Sequence, residues 1–298
     1  MKTITFYSYK GGAGRTLAVA NVAKYLSMFG QRVFAVDLDL EAPGLHYKLT
    51  LAQPAKAGEI RQGVVDIIYS FVTDGRTPTS LSSYVVELTR PNDSYGPIWL
   101  MPAGRVPSAE YWRRLAQINW HDLFYAENAP GVAFFLELKA MIENEFTPDF
   151  LLIDARTGIT EHGGIATTLL PDQVVCLLLN NRENLDGARE VLRGIRRAPR
   201  LKDQAPIDIH AVLARIPRPG APGSEEQILA ELRDFLNEPA TDLASTLAVS
   251  EVFVFHSERA LELSEGLRVG EAESPESSAL LHDYLRLFAR LIPRSVVE

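Results

Sequence analysis

An α/β fold, built on a mostly parallel central sheet with helices on both faces, is what this sequence predicts. Three observations carry that expectation. Strand-like runs alternate with helical ones along the chain, the order that builds a covered parallel sheet. The runs "FLLIDA" and "VVCLLLN" are apolar throughout instead of alternating, which places them at the sheet centre. The stretch "KGGAG", too rich in glycine for either regular structure, joins the first strand to a helix.

The first strand is "TITFYSY", in an N-terminus that alternates like a strand and lacks the apolar core of a signal peptide. The helix after the glycines, 16–29, has apolar residues at 17, 19, 22, 23, 26 and 29, one face of a 3.6-residue repeat. Further strands are expected at "RVFAVDLD", "YVVELT", "PIWLMP", "DFLLIDA", "QVVCLLLN", "DIHAVLARI" and "EVFVFH". Helical patterns lie between them near 60–72, 108–117, 131–146, 162–170, 183–198 and 224–237. A last helix, 277–291, has apolar positions at 280, 281, 284, 285, 287, 288, 291 and 292. Loops fall at 53–58, 91–96, 216–223 and 269–275, and none is long enough for a domain linker, so 1–298 reads as one domain.

The composition narrows the function. A formal charge of −8 argues against a nucleic-acid binder working through its overall charge and leaves room only for a local basic patch. The lone Cys176, inside "VVCLLL", cannot form an internal disulfide and reads as a buried thiol in a reducing compartment. No apolar stretch approaches the roughly 18 to 20 residues that cross a bilayer, so a cytoplasmic location is expected.

Strand, glycine loop and helix in succession make a phosphate nest. Gly11, Gly12 and Gly14 can take positive φ and turn backbone N–H groups inward, and the helix start adds its positive end. Lys10, Arg15 and Thr16 bracket the glycines with two cations and a hydroxyl suited to Mg²⁺; the bland alternative is a glycine turn. The strict pattern G-x-x-x-x-G-K-[ST] wants Gly at position 9 and Lys at 15, where this chain has Tyr9 and Arg15. Two more strands end in carboxylates, "RVFAVDLD" in Asp37 and Asp39 and "DFLLIDA" in Asp154, and such strand ends are where open α/β sheets bind ligands. A helix N-cap or solvated turn is the bland reading of the aspartate pair.

"KGGAGRT" resembles the K-G-G-x-G-K-[ST] loop of the deviant Walker A ATPases, the MinD/ParA family of P-loop NTPases, and only Arg15 departs from it. "RTG" after Asp154, and "GRVPSAEYWRRLAQINWHDLF" upstream, resemble a subgroup with K-G-G-x-G-R-T, which makes the arginine a subgroup trait. The match runs from Met1 to about Pro219. It implies ATP and Mg²⁺ as ligands, with Gly11, Gly12, Ala13, Gly14, Arg15, Thr16 and Leu17 around the phosphates and Gly158 offering an N–H to the γ-phosphate. It implies Thr16, Asp37 and Asp154 around the metal, Asp39 positioning the attacking water, and Lys10 reaching into the partner's site when two copies dimerise on ATP. The family's adenine-reading Asn is replaced here by Ala214 and Arg215, so Arg215 and Asn180, in "NNRENLDG", become the base-pocket candidates.

Two functional classes follow: a slow ATP-switched dimeric ATPase read by an unidentified partner protein, or a nucleotide-binding sensor or scaffold with negligible hydrolysis. A dethiobiotin synthetase-like transferase is a weaker third, because Lys10 has no evident use there. The cluster Arg193, Arg196, Arg197, Arg200 and Lys202 could bind DNA phosphates but suits a helix end and solvated face better. The last helix could resemble a membrane-targeting tail, yet packing on its own sheet is commoner. His162 could touch phosphate or a partner, or serve as a cap. The six histidines show no metal-ligand spacing, and a single cysteine excludes the bridging cluster of the related nitrogenase iron protein.

Overall fold

The computed structural model describes residues 1–200, 204–218, 223–242, 246–263, 266–270, 277–293 and 296; Lys202 and the loop stretches 219–222 and 271–275 lie outside them. In chain order the elements are β1 (Lys2–Ser8), α1 (Arg15–Met28), β2 (Val33–Leu38), α2 (Leu45–Leu49), α3 (Pro54–Ala57), α4 (Val64–Asp74), β3 (Val86–Glu87) and β4 (Ile98–Met101). Then follow α5 (Ala109–Gln117), α6 (Trp120–Phe124), α7 (Gly131–Phe146), β5 (Phe150–Ala155), α8 (Glu161–Gly164) and β6 (Gln173–Leu178). The rest are α9 (Arg182–Arg197), β7 (Asp208–Ile216), α10 (Ser224–Leu236), β8 (Val252–His256), α11 (Arg259–Leu263) and α12 (Ala279–Leu291).

The eight strands form one sheet in the order β3-β4-β2-β5-β1-β6-β7-β8, parallel except for the β3–β4 pair at one edge. Each of the central strands sends alternate side chains to two different cores, which is why they read as continuously apolar. Phe6 and Ala35 face α1 and α12, packing with Val22 and Leu26 of the first and Leu287 and Phe288 of the second. Phe34, Val36 and Ile153 face the other way, toward Ile67 of α4 and Phe135 of α7. Beyond β1 that second face is closed by α9 and α10, whose Leu192 and Leu236 meet Val174, Cys176 and Leu213. Each such fully buried Leu, Ile or Phe contributes about 1.5–3 kcal/mol. Burial also pushes the Cys176 thiol up to about 12, so it is inert at neutral pH.

All eight expected strands are present, with one much reduced. "YVVELT" pairs only through Val86–Glu87, because Ser82–Tyr84 turns as a 3₁₀ helix. The helix expected from 60 begins at Val64, where the Asp66 carboxylate accepts from the Gly63 N–H at 2.8 Å and fixes the start. The helix expected at 162–170 opens as α8, capped by Thr160, and widens into a π turn over Ile165–Leu169. The expected loop 53–58 holds α3, with Pro54 at its first position.

Two members of the basic cluster are stitched into the fold. Arg196 donates to the Ile207 and Leu247 carbonyls, both at 3.1 Å, and Arg200 to those of Thr168 and Pro171, both at 3.0 Å. The apolar face of α12 is spent in the same way, since Leu280, Tyr284, Leu287 and Leu291 are buried against the sheet and α1. No described helix is long and apolar enough to cross a membrane.

His46 on α2 gives the fold an acid sensitivity. Its ring packs tilted against Tyr47, both ring nitrogens are buried without a hydrogen-bond partner, and burial lowers its pKa to about 4. The unfolded chain therefore binds this proton first, so stability is complete above about pH 6.5 and falls as pH drops toward 4. We expect the unfolding free energies from urea titrations at pH 7 and pH 5 to differ by about 1–2 kcal/mol less in His46→Phe than in wild type. An unchanged difference would remove His46 from the account.

Candidate functional site

Strand β1 lies where the chain connections part, leading to β2 on one side of the sheet while β5 leads to β6 on the other. Ligands of open α/β sheets bind beyond the C-terminal strand ends at such a point. Here the loop from β1 to α1 turns with Gly12 at φ 83° and Gly14 at φ 84°, a conformation that side chains resist. Helix α1 begins at Arg15 with no side-chain cap and no acid in its first turn. Its first N–H groups and the positive end of its dipole are therefore available to an anion.

The loop is braced from α9. Tyr9 lies so close to Gly187 that a Cβ there would come within 2.3 Å of its ring, and Lys10 Nζ pairs with Glu183 at 2.5 Å. Two anchors thus set the angle of the loop, one apolar and one ionic, and the ionic one is half-exposed and breakable.

Arg15 occupies the centre of the site. Its Nε donates to Asp154 at 2.5 Å and its Nη2 to Asp39 at 2.5 Å, with the side chain only 6% exposed. The planar guanidinium fork spans two carboxylates where a lysine would meet one. Burial works against this charge, but Asp154 and Asp39 more than offset it and raise its pKa. Asp37 stands beside Asp154 in the β2–β5 register and accepts from the backbone N–H groups of Asp39 (3.1 Å), Gly44 (3.1 Å) and Leu45 (3.0 Å). It thereby holds the start of α2. Full burial, and then the charge of Asp154, push its pKa well above the usual carboxylate range. Asp39 is also raised, by burial first, with Arg15 pulling it back down.

A cavity of about 630 Å³ opens over this floor, within the range of ligand pockets. Of the residues expected at the site, Gly11, Gly12, Ala13, Gly14, Arg15, Thr16, Leu17, Asp39 and Arg215 line it. Arg215, itself at φ 60°, donates to the Gly12 carbonyl at 3.1 Å and props the glycine loop from β7. Asp37 and Asp154 lie beneath the wall, Asp154 reaching it through Arg15. Gly158, at φ 76°, turns its carbonyl to the Tyr7 hydroxyl at 3.2 Å and stands off the wall, as do Lys10 and Asn180.

The end away from the loop is built by residues that no motif announced: Phe255, His256, Ser257, Leu261, Leu280 and Tyr284. Apolar side chains dominate there, and His256 is held between Glu225 (2.7 Å) and Asp283 (2.8 Å). Position beyond the last parallel strand was the one signal available for "FHS". Glu41, Lys48, Arg156 and Thr157 complete the opposite wall.

Magnesium fits this floor through mixed ligands. Among the described residues no cluster of three or more His, Cys, Asp or Glu could hold a metal alone. Yet Asp154 Oδ2 is buried with no hydrogen-bond partner, and Thr16, which carries a hydroxyl, is among the residues lining the cavity. Mg²⁺ is commonly held by one or two protein oxygens with waters and substrate phosphates.

Comparison with known proteins gives the arrangement its context. MinD complexed with Mg-ADP from Pyrococcus horikoshii OT3 superposes with a TM-score of 0.61 at 17% identity, covering 98% of this chain and 97% of that one. The MinC:MinD cell division complex of Aquifex aeolicus gives 0.58 at 21% identity, over 98% of both chains. A plasmid partition protein of Borrelia burgdorferi B31 bound to AMPPNP gives 0.59 at 15%, over 98% of this chain and 99% of that one. At these identities the likeness shows the fold. Short stretches also match provisionally named replication A proteins of Rhizobium rhizogenes (45% over 42 residues) and Sinorhizobium fredii (31% over 77 residues). Those stretches span 10% and 19% of the two relatives. The profile of the CobQ/CobB/MinD/ParA nucleotide binding domain matches residues 4–252, so this chain belongs to that family of nucleotide-binding proteins.

Proposed function

We propose that the chain is a Mg²⁺-ATP-binding switch that dimerises on ATP, hydrolyses it slowly and is read by a partner protein. One observation carries this reading: an uncapped helix start and glycine nest face the cavity beside the Asp154–Arg15–Asp39 bridge, with one buried oxygen of Asp154 unclaimed. Residues 11–17 would hold the phosphates, and Thr16 and Asp154 the metal, with Asp37 supporting its shell through the adjacent strand. Bound Mg²⁺ would supply neutralising charge for the phosphates. Asp39 would orient a water for attack on the γ-phosphorus. The bond to the β–γ bridging oxygen then breaks, its electron pair leaves on ADP, and the water's proton passes to Asp39 or phosphate.

Slow turnover, below about 1 s⁻¹, fits an arginine already committed to two carboxylates. It must leave part of that bridge to follow the transition state, and only interactions gained there speed the reaction. ATP is favoured over GTP by family membership alone.

Dimerisation rests on Lys10. Arg15 supplies a cation from within the subunit, while Lys10, half-exposed and paired with Glu183 alone among the described residues, can turn to a second copy. In light scattering with a non-hydrolysable ATP analogue we expect wild type to dimerise and Lys10→Ala to stay monomeric, with ADP giving monomers throughout. A Lys10→Ala chain that dimerises as well as wild type would end the cross-subunit role.

A further inference from the structure

Two residues after Asp154 the chain places another arginine in the cavity already lined by Arg15 and Arg215. Arg156 and Glu41 both line it, and Arg156 Nη1 donates to Glu41 Oε1 in a close ion pair. Glu41 is the only hydrogen-bond partner of Arg156 among the described residues, and the arginine side chain is 32% exposed. It is therefore free to swing on its stem in a way the buried, doubly held Arg15 is not.

We propose that Arg156 contacts the terminal phosphate of the bound nucleotide from within its own subunit, and that Glu41 holds it in reserve until that phosphate arrives. The proposal rests on the nucleotide reading above and deepens it by assigning the group that distinguishes a triphosphate from a diphosphate.

Charge is the first argument. The floor carries three carboxylates, Asp37, Asp39 and Asp154, against one guanidinium, and that guanidinium is already bonded to two of them. Besides Arg15 the cavity is lined by the cations Lys48, Arg156 and Arg215, and Arg215 already donates to the Gly12 carbonyl. Arg156 is a ready supplement, and its fork suits two phosphate oxygens at once.

Position is the second. The sheet order sets β2 and β5, which carry Glu41 and Arg156 just past their ends, on the far side of β1 from β8. On this proposal a nucleotide with its base against the Phe255 to Ser257 wall and its phosphates over the β1 loop would extend its last phosphate toward β5, and a diphosphate would stop short of it.

Beside the pair lies an unfinished set of bonds. Glu41 Oε2 is buried without a hydrogen-bond partner. His162 Nε2 stands 3.7 Å from it, within ion-pair reach but beyond hydrogen-bond distance, and neither nitrogen of that buried ring has a hydrogen-bond partner. Buried polar atoms left in this state cost free energy, about 1–3 kcal/mol each. When Arg156 turns to the phosphate, Glu41 Oε2 can close on His162 Nε2, so the carboxylate gains one partner as it gives up the other. His162 also packs on Trp120, with ring centroids 4.8 Å apart, which ties the exchange to α6 and gives it an optical reporter.

Calorimetry with ADP and with a non-hydrolysable ATP analogue, both with Mg²⁺, tests this on wild type, Arg156→Ala and Glu41→Gln. Arg156→Ala is expected to bind the analogue at least tenfold more weakly and ADP within twofold of wild type, the ADP result showing that the variant is folded. Glu41→Gln, which frees the arginine, is expected to bind the analogue several-fold more tightly. Tryptophan fluorescence of wild type should change with the analogue but not with ADP, and the change should vanish in Trp120→Phe. If wild type binds both nucleotides and Arg156→Ala weakens them equally or neither, the proposal is overturned while the nucleotide reading stands. Wild type that binds neither nucleotide overturns both.

Discussion

Arg15→Ala is expected to lower the unfolding free energy of the nucleotide-free protein by about 3–5 kcal/mol, the usual cost of removing one member of a buried ion-pair cluster. The loss is large because of what remains. Asp37 and Asp154 are completely buried and Asp39 nearly so, and Arg15 is the cation bonded to two of the three. Without it the carboxylates repel one another in a region that already penalises their charge, as the raised pKa values of Asp37 and Asp39 show. Arg15→Lys keeps the charge but gives up the fork, so it should fall between the two, about 1–2 kcal/mol below wild type. Urea unfolding followed by circular dichroism measures all three. An Arg15→Ala protein within about 1 kcal/mol of wild type would mean that the bridge holds nothing together.

Asp39→Ala is expected to abolish most turnover while leaving nucleotide affinity intact or improved. A positioned general base or water-orienting carboxylate contributes about 10²–10⁴-fold, and the wild-type rate is itself expected to be slow. Binding survives because Asp39 contributes negative charge where phosphates must sit, so its removal eases their approach. Arg15 keeps its bond to Asp154 in this variant, so the floor keeps its main cation. Steady-state phosphate release, with binding measured in parallel, separates the two effects. If wild type binds ATP but releases phosphate no faster than Asp39→Ala, with candidate partners present, the sensor or scaffold reading replaces the ATPase one.

The sheet was legible because burial on both faces writes a simple signal. "FLLIDA" and "VVCLLLN" carry it, and they became the fully buried β5 and β6 on either side of β1. "YVVELT" looked like an equal partner from its valines, but an edge strand pairs on one side only, and a 3₁₀ turn took its first residue, Tyr84. The short helices α2, α6 and α11 span five residues each, less than two turns, so no periodicity can reveal them.

Within the site, legibility followed sequence distance. The nest at 11–17 is one contiguous motif, and the aspartates stand at strand ends that any parallel sheet gathers together. The bridge through Arg15 was not readable, since a loop cation is first taken as a phosphate ligand and nothing local says that two carboxylates already hold it. The pairing of Glu41 with Arg156 joins residues 115 positions apart. The far wall draws on β8, α11 and α12, which share no motif, whereas Asn180, read as a pocket residue from its place after a strand, stands outside the wall. Next to it, Asn181 caps α9 and Asn184 accepts from the Leu179 N–H at 2.8 Å, so the asparagines there serve the strand-to-helix turn.

The central claim is that this cavity takes Mg²⁺-ATP, and calorimetric titration of the wild-type chain with a non-hydrolysable ATP analogue tests it most directly. The account predicts saturable binding of one analogue per chain at a Kd below about a millimolar, weakened when Mg²⁺ is chelated and weakened again in Asp154→Asn. No saturable binding in that range with Mg²⁺ present would contradict it.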